Sequence, residues 1–568
     1  MNSVKIPSNK CVESISILSI CAAQLASGLY LQNFMFYVDE NLRSLPILLS
    51  VTPVILFYLL LRFFFAPLLS ALTTSATLWV LSIANRIKLS LTNDPLSWSD
   101  LSSTANASVI THYLTLQHCL LLLAILLTLL FAWKINPRKK TSLKSTISRL
   151  IACLLLAPIP FYLYGDIIGR VTAAEGLKLA EKLEATYISW DWELNIERHG
   201  LPLHLAHTSR RRIPDTPTSQ DVLAFENLRH APERIEELPR NIIYILCEAC
   251  WHDEHHFAAP FAKLEALGFK QTRAISPVYG GSTVNATFEL LTGLPANGAL
   301  SGVIYQEYAS LISPAAHTLP RYLRDIGYRT LEEHNHGRRF WRRDIVAPKF
   351  GFDQFISLED MGEKVGILWA DDKILFDRAL SDIQKNKGNN FLFLTTVSTH
   401  GPYFFDNDYG QKNYSERLAN ALDRIATFVT QVKLLNPSTL IVVMGDHKPA
   451  LNKFFYEEGI LPRDQFDTIG ATNEDFSFSA QSSEELRGDV PVYIYYDEKA
   501  QVDTLVRNAM GRPFFCLSQV INDELLGTRL PAFEYARQNS ICSDFKPGEY
   551  KTAILKYPDW LYSLSILK

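Results

Sequence analysis

The 568-residue sequence has no basic excess: 55 lysines and arginines stand against 59 aspartates and glutamates, a net charge of −4. No basic stripe is interleaved with aromatics, so there is no electrostatic footprint for nucleic acid, which is excluded as a partner. There is no internal repeat and no low-complexity tract, which removes repeat architectures. The 8 cysteines form no thiolate metal pattern. Cys11, Cys21, Cys119 and Cys153 lie in or beside apolar segments; Cys247, Cys250, Cys516 and Cys542 follow later and could pair in an oxidising compartment. Cys516 with Cys542 is the preferred disulfide, while Cys247 is open between a buried thiol and a bridge to Cys250.

What the chain does have in quantity is unevenly placed. Apolar segments near 12–38, 46–66, 68–85, 115–133 and 149–166 are each about long enough to cross a ~30 Å hydrocarbon core, although the third is less apolar and the fifth carries two prolines. Five spans are expected, in a membrane domain over 1–166. Lys5 and Lys10 precede the first, and the 134–149 loop carries Lys134, Arg138, Lys139, Lys140, Lys144 and Arg149 without an acidic residue. Both therefore belong on the cytoplasmic side, and an odd number of crossings puts the remainder outside. A multi-pass protein of a bacterial cytoplasmic membrane, with an extracytoplasmic catalytic domain, is the expected location.

Residues 167–240 read as a helical connector followed by a polar linker. Ala173, Leu177, Ala180, Leu183 and Tyr187 recur at helical spacing, and 206–240 combines Arg210, Arg211 and Arg212 with Pro214, Pro217 and Pro232 as an exposed tether. From 241 to 568 a catalytic domain is expected. Strands at 241–247, 390–397, 439–444 and 491–496 alternate with helices near 283–293, 316–327, 371–385 and 414–434. That alternation predicts a three-layer α/β/α domain around a mostly parallel sheet. Ligand sites in such sheets lie beyond the carboxyl ends of strands.

Three pieces of sequence point to chemistry there. Gly280-Gly281-Ser282-Thr283 runs into a helix, setting a hydroxyl among unpaired backbone N–H groups that favour a phosphoryl group, with glycines that permit its close approach. Two apolar strands end in Cys247-Glu248 and in Gly445-Asp446-His447. Glu248, Asp446, His447 and Thr283 together offer oxygen ligands plus one imidazole, a hard set that favours Mn²⁺, Mg²⁺ or a borderline Zn²⁺. Taken singly, Glu248 and Asp446 would be polar strand ends and Thr283 an N-cap. The run Trp251-His252-Asp253-Glu254-His255-His256 is read as an exposed turn, because consecutive side chains point apart.

The stretch Gly-Gly-Ser-Thr-Val-Asn-Ala-Thr-Phe-Glu-Leu-Leu-Thr-Gly-Leu-Pro at 280–295, with Phe340-Trp341-Arg342-Arg343-Asp344, Ser398-Thr399-His400-Gly401-Pro402-Tyr403 and Gly445-Asp446-His447, resembles the motifs of lipoteichoic acid synthase-like membrane enzymes in the alkaline phosphatase/sulfatase superfamily. The order is the same, and Asn85-Arg86-Ile87-Lys88 with Asp94–Leu101 is similar to a loop of that family. The resemblance implies a five-span anchor and an external domain that takes phosphoglycerol from phosphatidylglycerol. It implies one divalent cation, Mn²⁺ first, on Glu248, Asp446 and His447, with Thr283 as the metal-bound nucleophile. Trp341 and Arg343 match positions that hold phosphoglycerol, and His400 matches a site histidine; His336 and Asn285 are further candidates for substrate contact. Asn285 and Thr287 stand where the polymer-forming enzymes carry acidic residues, so polyglycerolphosphate synthesis is not implied.

The expected reaction is a two-step transfer through a phosphodiester-linked Thr283 to a glycan or glycolipid acceptor. His400 would move protons, and Arg343 would spread charge over the phosphoryl oxygens. Phosphoethanolamine is the alternative group, and a phosphodiesterase or sulfatase-type hydrolase the alternative reaction. The Cys-x-Pro-x-Arg segment of formylglycine sulfatases is absent from the chain.

Overall fold

The computed structural model describes residues 44–92, 95–102, 116–135, 143–156, 186–189, 191–209, 211–228, 238–366, 369–403, 409–435, 438–479, 481–497, 499–527 and 529–567. It divides into two compact units, Met1–Arg211 and Arg212–Lys568.

In the first unit the apolar segments form helices at Ser44–Leu61, Pro67–Thr92, Leu116–Ile135 and Leu143–Leu156. Among the described residues one helix, over Pro67–Leu89, is long and apolar enough to cross a membrane. The five-span count is therefore not reached here. The remaining apolar helical runs, Thr52–Leu61 and Leu122–Phe131, are shorter, and the segment read at 12–38 and the end of the one at 149–166 lie outside the described residues. The loop after Pro67–Thr92 is tied by one buried ion pair. Lys88 Nζ donates to Asp100 at 2.6 Å and to the Pro95 carbonyl at 2.8 Å. The Ser97 backbone and hydroxyl donate to the same carboxylate, each at 2.7 Å.

The second unit is built on a sheet of eight strands. In chain order the strands of the unit are β1 Asn241–Cys247, β2 Lys270–Ile275, β3 Tyr328–His334, β4 Gln354–Ile356, β5 Asn389–Thr395, β6 Thr439–Gly445, β7 Phe466–Thr468, β8 Phe476–Phe478, β9 Asp489–Tyr496 and β10 Arg512–Pro513. The main sheet runs β10-β2-β9-β6-β1-β5-β3-β4, with β7 and β8 in a separate hairpin. β9 is antiparallel to β2 and β6; every other pairing in the main sheet is parallel. The central strands are buried along their whole length, as strands covered on both faces must be, and so read as continuous apolar runs.

All four expected strands are present. β2, β3, β4 and β10 were not anticipated, and β3 is the instructive case: Tyr-Arg-Thr-Leu-Glu-Glu-His carries three charged side chains, yet its last five residues are buried. The expected helices correspond to Thr283–Thr292, Leu319–Asp325, Asp372–Lys385 and Gln411–Leu434. Within the stretch read as a tether, Ser219–Leu228 is a helix whose Phe225 and Leu228 are buried in the core of this unit. Arg212, just before it, donates to Asp559 at 2.9 Å and to the Gly298 carbonyl at 3.0 Å. Both cysteine pairs of the second unit are bridged, Cys516 to Cys542 and Cys247 to Cys250.

Candidate active site

Register assembles the first part of the site. β1 and β6 are adjacent and parallel with Cys247 opposite Gly445, so the residues that follow each strand, Glu248 and Asp446-His447, emerge side by side at their carboxyl ends. The turn after β1 crosses directly over Gly445: a Cβ there would collide with the Cys250 carbonyl oxygen. Only glycine fits. Thr283 reaches the same place from the N-terminus of its helix, after Gly280, Gly281 and Ser282, which is held left-handed at φ 64°.

The side chains converge closely. Thr283 Oγ1 donates to Asp446 Oδ2 at 2.6 Å and lies 3.3 Å from Glu248 Oε2. His447 Nε2 is 3.4 Å from Glu248 Oε1 and 3.3 Å from Asp446 Oδ2. Ligand atoms of Glu248, Asp446 and His447 all lie within 4.8 Å of one another, and all three residues are buried. Each is held by backbone. Asp446 Oδ1 accepts from Ala249 N at 2.6 Å and from His447 N at 2.7 Å, leaving Oδ2 to face the site. Glu248 is fixed through its own backbone, with its N–H donating to Thr396 Oγ1 at 2.9 Å and its carbonyl accepting from Thr399.

The donor set fits a divalent cation. His447 Nδ1 is 2.9 Å from the Lys448 carbonyl; a carbonyl only accepts, so Nδ1 carries the proton and Nε2 presents a lone pair. That lone pair and two carboxylates face one another in a buried space, and Nε2 has no hydrogen-bond partner. Burial, and then the neighbouring Asp446, push the Glu248 carboxyl up to about 8. Three buried electron-rich groups at this separation repel unless a positive charge stands between them. Mixed oxygen and imidazole ligation suits Mn²⁺, Mg²⁺ or Zn²⁺.

A second cluster surrounds His400. Thr399 holds the Glu248 carbonyl, so His400 is one residue from a contact to the first cluster. Its Nδ1 is 2.6 Å from the Gly401 carbonyl, which leaves Nε2 available. The Trp369 ring lies 4.2 Å from His400 and 5.4 Å from His336, and its indole N–H donates to the Gly401 carbonyl at 3.1 Å. His336 packs against Phe340 at 4.2 Å, and Phe340 against Trp341 at 5.3 Å. Burial, then His400, lowers the His336 imidazole to about 4, so it is neutral near pH 7. The Trp341-Arg342 turn is left-handed at φ 56° for both residues, a conformation bulky side chains adopt only when their surroundings impose it.

Two expected contacts are placed differently. Arg343 is fully buried, its Nη1 donating to Glu332 Oε1 at 2.6 Å, with Nε and Nη2 lacking hydrogen-bond partners. Asn285 commits both ends of its amide to backbone, donating to the Gly302 carbonyl at 2.8 Å and accepting from Ile304 N at 3.0 Å. It braces the 302–304 turn. The histidine-rich turn is likewise not uniformly exposed: His252 is buried with Nε2 3.0 Å from the Tyr493 hydroxyl, while His255 and His256 fold around Asp253. Trp369 and Glu332 were not anticipated. A single tryptophan in the short Val-Gly-Ile-Leu-Trp-Ala run at 365–370 and a glutamate inside an unrecognised strand carry no local signal.

Residues 240–508 match the sulfatase family model. A putative cyclic beta-1,2-glucan modification protein of Rhizobium meliloti is 26% identical over 313 residues, covering 50% of this chain and 48% of that protein. The capsular polysaccharide biosynthesis protein RkpI of the same organism is 24% identical over 245 residues, covering 39% and 43%. The matches thus span less than half the length of either relative. Among solved structures, the phosphoglycerol transferase GacH of Streptococcus pyogenes, in complex with sn-glycerol-1-phosphate, aligns at 18% identity over 62% of this chain and 95% of its own, with a TM-score of 0.41. The lipoteichoic acid synthase LtaP of Listeria monocytogenes aligns at 19% identity over 51% and 74%, with a TM-score of 0.39. The stretch similar to the sulfatase family, residues 240–508, contains the whole strand-end cluster of Glu248, Asp446 and His447.

Proposed function

We propose that this protein is a membrane-anchored phosphotransferase that moves the phosphoglycerol headgroup of phosphatidylglycerol, through Thr283, to an envelope glycan. The observation that carries the proposal is the 2.6 Å hydrogen bond from Thr283 to Asp446 beside Glu248 and His447. The cap position of this helix is Ser282, so Thr283 is not its capping residue, and the Thr283 hydroxyl is directed at the two carboxylates instead. The names of the two Rhizobium meliloti relatives, a glucan modification protein and a capsular polysaccharide protein, favour a glycan as acceptor. The anchor is read as five spans with the domain outside. Exposed leucines along Leu116–Ile135 and Leu143–Leu156, among them Leu120, Leu127, Leu154 and Leu155, support contact with lipid.

A divalent cation held by Glu248, Asp446 and His447, Mn²⁺ first, would supply Lewis-acid stabilisation of developing negative charge. The chain's own residues supply the rest. Thr283 Oγ1, its proton directed onto Asp446 Oδ2, forms a bond to phosphorus while the bond from phosphorus to the diacylglycerol oxygen breaks. His400, through Nε2, gives the departing diacylglycerol its proton. In the second step the same nitrogen takes the proton of an acceptor hydroxyl, whose oxygen displaces Thr283, and the threonine hydroxyl is restored. Trp341 and Trp369 flank the headgroup and exclude water, and Arg343 places positive charge near it from beneath the surface.

The test is diacylglycerol release from headgroup-labelled phosphatidylglycerol by the purified full chain with Mn²⁺. Release is expected, and Thr283→Ala lowers it by more than ~10³-fold; undiminished release from that variant would remove Thr283 as nucleophile. Release of free glycerol phosphate in the presence of a glycan, with none joined to it, would favour the hydrolase. Release from phosphatidylethanolamine instead would assign phosphoethanolamine as the group moved.

A further inference from the structure

Two histidines of the site hold their protons by the same device. His447 Nδ1 lies 2.9 Å from the carbonyl of the next residue, Lys448, and that carbonyl also accepts from Gly280 N at 3.2 Å. His400 Nδ1 lies 2.6 Å from the carbonyl of its own next residue, Gly401, where the second donor is the indole N–H of Trp369 at 3.1 Å. A carbonyl oxygen has two lone pairs and only accepts, so it serves both donors, Nδ1 carries the proton and Nε2 keeps its lone pair. At His447 the second donor is backbone. At His400 it belongs to one side chain, which a single substitution removes.

The chain delivers Trp369 to that point with little freedom. The helix Asp372–Lys385 begins three residues later, capped by Asp371, which accepts from Lys373 N at 2.9 Å. Asp372 is fully buried and bolts this helix start to two strand ends. Its carboxylate accepts from Val397 N at 2.9 Å, Ser398 N at 3.2 Å and the Ser398 hydroxyl, after β5, and from Asn335 Nδ2 at 2.9 Å, after β3. Trp369 therefore falls between His400 and His336, its ring 4.2 Å from one and 5.4 Å from the other. Neighbouring carbonyls of the same turn have their own donors: Arg417 Nη1 holds that of His400 at 2.8 Å, and the Tyr403 hydroxyl that of Thr399 at 3.0 Å. Trp369 completes the set at Gly401. A half-buried tryptophan kept for packing alone would leave its N–H to water.

We propose that Trp369 is a positioning residue for His400: by holding the Gly401 carbonyl against Nδ1, it keeps the imidazole in the tautomer whose Nε2 can take up and return a proton. The inference rests on the proton-transfer role given to His400 above. Without the indole the peptide is free to turn, and either ring nitrogen can carry the proton. Its test uses Trp369→Phe, which keeps an aromatic ring and loses the N–H, with thermal unfolding to check that the variant is folded. The full chain, carrying isotope-labelled histidine, is placed in phosphatidylcholine bilayers with Mg²⁺, and solid-state NMR reads which nitrogen of His400 is protonated, the signal being assigned by its loss in His400→Gln. Wild type is expected to show Nδ1 protonated, and Trp369→Phe to show a mixture. In parallel, diacylglycerol release from phosphatidylglycerol with Mn²⁺ should lose at least ~10-fold in kcat with KM unchanged, a part of the ~10²–10⁴ that a positioned proton-transfer group contributes. In a His400→Gln background the same substitution should cost nothing further, because Trp369 acts only through that histidine. Wild-type His400 protonated on Nε2, an unchanged tautomer in Trp369→Phe, full kcat in that variant, or the same loss without His400 overturns the inference. If the tautomer shifts as expected while wild type releases no diacylglycerol, the hold of Trp369 on His400 stands and the phosphoglycerol reading falls.

Discussion

His447 Nε2 points its lone pair at two carboxylates, and Arg343 buries its charge on one glutamate while two of its nitrogens go without partners. Both arrangements are expensive for folding alone, which is why they mark function. The buried Arg343–Glu332 pair yields a direct expectation: Arg343→Met strands the Glu332 carboxylate and lowers stability by about 3–5 kcal/mol. Adding Glu332→Gln should recover much of that loss in thermal unfolding; no recovery would show that the two side chains do not act as a pair. The three candidate ligands were legible in the sequence because each sits where an apolar strand stops. Trp369 and Glu332 were not, since what makes them part of the site is register between β3 and β5 and a turn far along the chain.

At the level of elements, the parallel contact of β1 with β6 does most to build the site, and Gly445 permits it. Gly445→Ala should cost about 3 kcal/mol, the upper end for overpacking, because the added methyl meets backbone that cannot move aside. A full-strength fold in that variant would contradict the close crossing seen here. β1 and β6 were readable as apolar runs, whereas β3 was hidden by the very glutamates that give it a role. Buried acids also set a pH response. Burial raises the Glu289 and Glu333 carboxyls from 4.5 to about 8, so in this window the folded state holds protons that the unfolded state has released. Stability of the metal-free protein should therefore fall as pH rises from about 4.5 to about 8. Glu289→Gln should flatten that fall; an unchanged slope would place Glu289 outside the response.

For the whole molecule the question is which side of a membrane the second unit occupies. The basic 134–149 stretch, free of acidic residues, belongs on the cytoplasmic side by the positive-inside rule. A single cysteine placed at Lys139, in a chain otherwise freed of Cys11, Cys21, Cys119 and Cys153, should be shielded from an impermeant thiol reagent in intact cells, while one at exposed Glu254 in the second unit should be labelled. The reverse pattern would put the domain in the cytosol and leave it without the proposed acceptor. The composition of the first part of the chain was plain from sequence, and the described helices carry its apolar runs. How many cross a bilayer depends on length and lipid contact that periodicity alone does not fix.

The central claim is that Thr283 takes up the headgroup covalently. Purified protein with Mn²⁺ and phosphatidylglycerol, without acceptor, is to be quenched in acid and the peptide spanning Gly280 to Glu289 weighed by mass spectrometry. The account predicts a gain of one phosphoglycerol group on Thr283, absent from Thr283→Ala and absent when the cation is chelated. Diacylglycerol released at the normal rate with an unmodified Thr283 peptide, or with the adduct on another residue, would contradict it.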